Sequence, residues 1–365
     1  MTLDRVVITT GGTAGHIFPA LTVASEIMRR NPGADILFMG GPGVEGDMAR
    51  EHGLKFQELP ASGIMGRGIP GILSGMGWLG TGIPKALAAV WSHRPDAVIG
   101  FGGYAGFCPV LAGRILGIPT AIHEQNSVPG VANRMLGKAV KRIFLSFPDR
   151  MNAFPGHKTY LTGNPVRPEV IEASVRRRNH EPGRRVLVLG GSQGARPINN
   201  ALIEALPRFM EAGVRLVHQT GKLDYARVRA AYEAASADPS QVREFIEDMG
   251  TEYALCDLAV CRAGASTVFE IAAAGVPALF VPFPQATHDH QTMNAKAMAD
   301  LGAAELIPQP VLSGEGLARA VTRLLDNPER LSAMEQAARG FAKPDAAADI
   351  AAGLEGLAAQ GKEQR

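Results

Sequence analysis

Two glycine-rich segments carry the residue types and spacing that phosphate chemistry uses. Gly11-Gly-Thr-Ala-Gly-His16 and Gly190-Gly-Ser-Gln-Gly-Ala195 each follow an apolar β-branched run and precede a helical pattern. Glycine lets a backbone turn tightly against a ligand, and the N–H groups at a helix start attract negative charge. Neither segment is a GxGxxG fingerprint with a well-placed ribose-binding acid. Asp35 lies about 20 residues beyond the first, but it opens its strand instead of closing it. GxxxxGK[ST] is absent too, so nicotinamide and ATP chemistry both lose ground. His16 closes the first turn, where an imidazole could act as general base or donate to a sugar or phosphate; a plain helix-capping histidine is the alternative.

A third segment, Cys261-Arg-Ala-Gly-Ala-Ser-Thr-Val-Phe-Glu270, follows another apolar run. Ser266 or Thr267 is expected to cap a helix whose amides would meet a pyrophosphate. Glu270 falls one turn further in, where its carboxylate could accept both hydroxyls of a ribose or simply complement the helix dipole. Beyond it, Gln291 and Asn294 suit sugar hydroxyls. His288, Asp289 and His290 raise a metal alternative, but no acids complete a cage, so neither a metal nor another cofactor is expected.

The elements that must position these groups alternate strand and helix. Runs at Arg5–Thr10, Ala34–Met39, Asp96–Gly100, Pro119–His123 and Arg142–Leu145 read as strands, most followed by a turn and a helix. The pattern breaks at Asn164-Pro-Val-Arg-Pro168, with Ala173–Arg185 polar and basic as a linker would be. It restarts at Arg185–Leu189 and continues through Val214–Gln219, Leu258–Cys261, Pro277–Val281 and Ala304–Ile307. Two α/β domains follow, each a doubly wound parallel sheet with Rossmann-like order, at residues 1–164 and 165–340. Residues 341–365 form a C-terminal helix and tail expected to dock on one of them. Ligands would bind at the carboxyl ends of the strands, in a cleft between facing sheets.

Hydrophobic residues make up 46% of the 365 and charged residues 20%, as in a well-packed globular chain. A net charge of +2 without a basic stripe argues against nucleic acid. Cys108, Cys256 and Cys261 lack zinc-ligand spacing and suit a reducing compartment as buried apolar residues. No signal peptide and no transmembrane run is visible; Gly68–Pro84 is uncharged but rich in Gly and Pro, and reads as a loop.

Together, Gly11–His16, Gly102-Gly-Tyr-Ala-Gly106, His123-Glu-Gln-Asn126, Gly163-Asn-Pro-Val-Arg167, Gly190–Ala195, Glu270 and Asp289-His-Gln-Thr-Met-Asn294 resemble the bacterial N-acetylglucosaminyltransferases of peptidoglycan precursor synthesis. The resemblance implies a GT-B fold and inverting transfer of GlcNAc from UDP-GlcNAc. The implied acceptor is the C4 hydroxyl of MurNAc in undecaprenyl-pyrophosphoryl-MurNAc-pentapeptide, the last cytoplasmic step of that synthesis. It implies Arg167 and Ile246 at the uracil, Glu270 at the ribose, and Ser192, Ala265, Ser266 and Thr267 at the pyrophosphate. His290 and Gln291 would read GlcNAc, and Thr13, Ala14, Gly15 and Asn126 would close the site. His16 is the expected base, with Asn126 positioning the acceptor. Ala14 stands where a glycine is common, and Ala263 and Phe269 where serines are, which removes hydroxyls from the third loop.

A lipid-linked acceptor implies peripheral residence on the cytoplasmic face of the inner membrane, with cell-wall synthesis proteins as partners. Ile72, Leu73, Trp78 and Leu79, then Ile83, Leu87, Val90 and Trp91 on one helix face, with Lys85, Arg94, Lys138, Lys141 and Arg142 nearby, suit an anionic surface or, equally, a core. A UDP-GlcNAc 2-epimerase and a non-catalytic nucleotide-sugar-binding protein remain the alternatives.

Overall fold

The computed structural model describes residues 2–60, 68–177, 181–191 and 193–363, without the side chains of residues 14, 68–79 and 363. The chain divides into two compact units, Met1–Val166 with Lys343–Arg365, and Arg167–Ala342.

In the first unit the strands are β1 (Arg5–Thr9), β2 (Asp35–Gly40), β3 (Lys55–Glu58), β4 (Ala97–Gly100), β5 (Thr120–Glu124), β6 (Arg142–Leu145) and β7 (Thr159–Leu161). They form a parallel sheet ordered β3-β2-β1-β4-β5-β6-β7. Helices α1 (Ala14–Arg30), α2 (Glu45–Glu51), α3 (Gly68–His93), α4 (Gly103–Ile115) and α5 (Val131–Ala139) make the crossovers. Val6, Val7 and Ile8 are fully buried, so β1 reads as a continuous apolar run and not an alternation. The winding reverses between β1 and β4, which opens a crevice at their carboxyl ends.

Three edge strands were not expected: β3, β7 and, in the second unit, β10 (Val242–Arg243). β3 and β7 are short and mostly exposed, and β10 is two residues long with only Val242 buried, so none carries a buried-run signature. The glycine-rich stretch expected as a loop is helical from Gly68 onward. Pro70 falls in its first turn, where a missing N–H costs no ladder bond. Further along, Ala86 and Val90 are fully buried in the core, and that packing outweighs Pro84.

Helix α14 (Ala346–Glu363) returns to the first unit and lies along α1. Ile350, Leu354 and Leu357 share a core with Leu21, Ala24 and Ile27. Arg30 pairs with Glu355 at 3.2 Å, Lys362 with Asp96 at 3.0 Å, and Arg142 donates to the Gly353 carbonyl at 2.6 Å.

The second unit runs α6 (Pro168–Arg176), β8 (Arg185–Leu189), α7 (Arg196–Glu211), β9 (Arg215–Gln219), α8 (Tyr225–Ala234), β10 and α9 (Met249–Leu255). It continues with β11 (Leu258–Cys261), α10 (Ala265–Ala274), β12 (Ala278–Phe280), α11 (His290–Ala299), β13 (Ala304–Leu306), α12 (Gly314–Leu325) and α13 (Pro328–Phe341). Its parallel sheet is ordered β10-β9-β8-β11-β12-β13, the same winding with the reversal between β8 and β11. The stretch expected as a linker supplies the end of α6 and buries Arg177, which donates to the Gly275 and Tyr253 carbonyls and pairs with Glu335.

Candidate active site

In the second unit the turn after β8 lies at the strand-order reversal. Gly194 has φ +77°, and a Cβ there would sit 2.1 Å from the Thr220 carbonyl oxygen, so only glycine fits. Gln219, at the end of β9, ties this turn to its neighbour. Its Nε2 donates to the Gly191 carbonyl at 3.3 Å and its Oε1 accepts from the Ile246 N–H at 2.9 Å. Ser192 lies outside the described residues.

The turn after β11 differs from expectation in one respect. Gly264, not Ser266 or Thr267, is the N-cap of α10, and no side chain caps the helix. The ladder starts with the Val268 N–H to Gly264 carbonyl bond at 3.0 Å, so Ala265, Ser266 and Thr267 supply the amides that precede it. One turn on, Glu270 is 9% exposed. Arg167 Nε donates to its Oε1 at 3.0 Å and the Tyr253 hydroxyl to its Oε2 at 3.2 Å. Tyr253 is fully buried, and burial followed by the Glu270 charge pushes its hydroxyl well above the usual range, so it stays a donor. Nothing local in the sequence marked Tyr253 or Gln219, whose partners are distant along the chain. Phe269 packs on Phe341 with ring centroids 5.2 Å apart, so its aromatic ring belongs to the core.

Gln291 accepts at Oε1 from the Ala263 N–H at 3.2 Å and the Phe283 N–H at 3.0 Å, which leaves its amide nitrogen as the end suited to a sugar hydroxyl. His290 Nδ1 donates to the Thr287 carbonyl at 2.8 Å, so a neutral ring presents Nε2 as an acceptor. Asn294 is not a sugar partner: it is fully buried and donates to the Ala263 carbonyl at 3.2 Å. Among the described residues no group of three or more His, Cys, Asp or Glu could hold a metal ion.

In the first unit Thr13 is the N-cap of α1, placing Ala14, Gly15 and His16 in its first turn. The His16 N–H donates to the Thr13 carbonyl at 2.9 Å. Its Cε1 lies 3.7 Å from where a Cβ on Gly102 would sit, which brings the imidazole to the turn after β4. Asn126 is held by its backbone: its N–H donates to Glu124 Oε1 at 3.0 Å. Glu124 Oε2 accepts from the Gly130 N–H at 3.0 Å and Asn133 Nδ2 at 2.9 Å, so one buried carboxylate shapes the whole segment. Burial raises the Glu124 carboxyl against the pull of these hydrogen bonds. His123 is fully buried between the Gly163 carbonyl and the Gln125 amide, and burial pushes it down to about 4. Within each unit, the expected residues that the structure describes gather at the carboxyl ends of the strands.

Residues 6–145 match the glycosyltransferase family 28 N-terminal domain and residues 185–350 its C-terminal domain. The UDP-N-acetylglucosamine–N-acetylmuramyl-(pentapeptide) pyrophosphoryl-undecaprenol N-acetylglucosamine transferase of Solidesulfovibrio magneticus is 49% identical, over 99% of this chain and 100% of its own. The transferase of that name from Nitratidesulfovibrio vulgaris is 49% identical over 96% of this chain and 97% of its own. The chain belongs to this transferase family. Acinetobacter baumannii MurG superposes on the transferase with a TM-score of 0.79 at 33% identity, over 96% of this chain and 99% of that one. The calicheamicin glycosyltransferase CalG4, at 16% identity and a TM-score of 0.72, shares the fold over 99% of both chains. The transferase thus has the GT-B fold.

Helix α3 of the transferase carries the residues expected at a membrane. The side chains of Ile72, Leu73, Trp78 and Leu79 lie outside the described part. Val90 is fully buried and Ile83 and Leu87 pack on the same cluster, so that face is core. Trp91 is 67% exposed beside Arg5, Ser92 and Arg94. It lies roughly 20 Å along the helix from Trp78 at ~1.5 Å per residue. Among the described residues no helix is long and apolar enough to cross a membrane.

Proposed function

We propose that this transferase moves GlcNAc from UDP-GlcNAc to the C4 hydroxyl of MurNAc in undecaprenyl-pyrophosphoryl-MurNAc-pentapeptide, with inversion at the anomeric carbon. The acceptor oxygen attacks C1 while the C1–phosphate oxygen bond breaks, its electrons leaving with UDP. His16 takes the hydroxyl proton and Asn126 orients the acceptor. Membership of a family whose curated members carry the name of this reaction supports donor and acceptor alike.

One contrast carries the assignment of the donor to the second unit. The first turn already holds a carboxylate: Glu45 Oε1 accepts from the Gly12 N–H at 3.1 Å. The second turn is braced by the neutral amide of Gln219. A diphosphate favours the second turn and the helix start at Ala265–Thr267, and is repelled at the first. In this reading Arg167 and Ile246 border the uracil and Glu270 the ribose. Ser192 joins the α10 amides at the pyrophosphate, and His290 and Gln291 meet GlcNAc. Thr13, Ala14 and Gly15 complete the substrate contacts from the first turn.

The lipid-linked acceptor places the enzyme peripherally at the cytoplasmic face of the inner membrane, with Ile72, Leu73, Trp78, Leu79 and Trp91 as its apolar contacts. Anionic vesicles should co-sediment with the wild type and lose the Trp78→Glu, Leu79→Glu variant; equal binding removes that patch. The decisive assay is transfer of labelled GlcNAc to the MurNAc-pentapeptide lipid. Labelled disaccharide lipid is expected. UDP-ManNAc formed without acceptor would instead make it an epimerase, and tight UDP-GlcNAc binding with no product a sensor.

A further inference from the structure

The carboxylate on the first turn has a second consequence. Glu45 opens α2, just after β2, and is only 4% exposed. Burying a carboxylate is costly, so its placement needs a compensating bond, and the Gly12 N–H supplies one at 3.1 Å. The backbone around it leaves room for little else. A Cβ on Gly43 would lie 2.3 Å from Glu45 Oε2, and one on Gly40 would lie 3.0 Å from Glu45 Cβ. On the opposite flank Gly103, at φ +75°, fits so closely that a Cβ there would lie 2.1 Å from the Gly11 carbonyl oxygen. The turn that launches α1 is therefore held by backbone packing on the β4 side, and on the β2 side by the Thr10 N–H to Met39 carbonyl bond at 3.0 Å and by the Glu45 carboxylate on Gly12.

We infer that Glu45 is a positioning residue for acceptor activation. By fixing the Gly12 amide it fixes the start of α1, and with it the imidazole of His16 four residues on. The inference rests on the role proposed for His16, and it assigns Glu45 no contact with substrate. Misplacing a catalytic group by about 1 Å costs on the order of 100-fold in rate, so a single hydrogen bond at this turn is enough to matter.

Two substitutions separate the hydrogen bond from the charge. Glu45→Gln keeps an acceptor oxygen facing Gly12, whereas Glu45→Ala removes it. Glu45→Ala should lower kcat roughly 10- to 100-fold while the Kd for UDP, which the proposed reading assigns to the second unit, stays within about twofold. Glu45→Gln should restore kcat to within about threefold of wild type. Hydrogen exchange in residues 9–16 should quicken in Glu45→Ala and not in Glu45→Gln. Should the alanine variant fail to fold, Glu45→Asp, which retracts the carboxylate by one methylene, takes its place with the same expectations.

A kcat close to wild type in the alanine variant overturns the inference. So does a glutamine variant as defective as alanine, or UDP affinity falling in step with kcat. If the wild type transfers no GlcNAc, the proposed function fails by itself. The exchange of residues 9–16 then still decides whether Glu45 holds the turn: unchanged exchange in the alanine variant ends the inference.

Discussion

Arg167 Nε lies 3.0 Å from Glu270 Oε1, and the buried Tyr253 hydroxyl reaches the other oxygen of that carboxylate at 3.2 Å. The two donors aim the carboxylate while leaving each oxygen a further lone pair for a ribose hydroxyl. A hydrogen bond to a charged group is worth about 1.5–3 kcal/mol, so Glu270→Ala should weaken UDP roughly 10- to 100-fold. Titration calorimetry with UDP and 2′-deoxy-UDP reads this directly. The wild type should prefer UDP and the variant should not discriminate; an unchanged UDP affinity takes Glu270 out of the site.

His16→Ala should lower kcat by about 10²- to 10⁴-fold, the usual contribution of a general base, with the KM for UDP-GlcNAc little changed. His123 is no substitute base. It is fully buried, hydrogen-bonded at both ring nitrogens, and held near 4 by burial. Turnover close to wild type in the His16 variant would move the base to another residue.

The sheets were legible because central strands such as Val6–Ile8 and Val186–Val188 are buried on both faces and leave unbroken apolar runs. β3 was not, because Lys55-Phe-Gln-Glu58 is a mostly exposed edge with no such run. The glycine-rich turns and Glu270 could be found by local spacing. Their supports could not: Gln219 meets residues 27 and 28 positions away, and Arg167 meets Glu270 across 103. Only the strand order brings such pairs together. Asn294 sits one turn after Gln291 on α11, but it faces the buried side, a difference that residue type does not encode.

The first unit is completed by chain returning from beyond the second, Lys343–Arg365. Leu354 of α14 is fully buried against α1, so Leu354→Ala should cost about 2–5 kcal/mol by lost burial and the cavity left behind. Differential scanning calorimetry should show the transition of the first unit falling while that of the second stays in place. An unmoved first transition would mean that α14 adds no stability there.

Leaving UDP needs its charge stabilised, and the amides at the start of α10 are the groups proposed for it. Activity should therefore persist in excess EDTA. Loss of transfer on chelation, restored by Mg²⁺, would assign the leaving charge to a metal instead.

Among the described residues, each unit also buries one histidine in neutral form. His218 Nε2 donates to Asn199 Oδ1 at 2.9 Å and its Nδ1 accepts from the Tyr232 hydroxyl at 3.2 Å. Burial pushes it down to about 3, as it pushes His123 down to about 4, from an ordinary value of 6.5. The folded values lie below the unfolded one, so above pH ~6.5 neither state binds these protons and stability is complete. As the pH falls below that value the unfolded chain takes up a proton at each site and the folded chain does not. Stability should then drop by about 1.4 kcal/mol per pH unit for each histidine, until the pH approaches the folded value. Melting curves at pH 7.5, 6 and 5 should show both transitions falling. His218→Asn should flatten the dependence of the second unit and leave that of the first. Transitions that hold steady down to pH 5 would mean that the two rings are protonated in the fold.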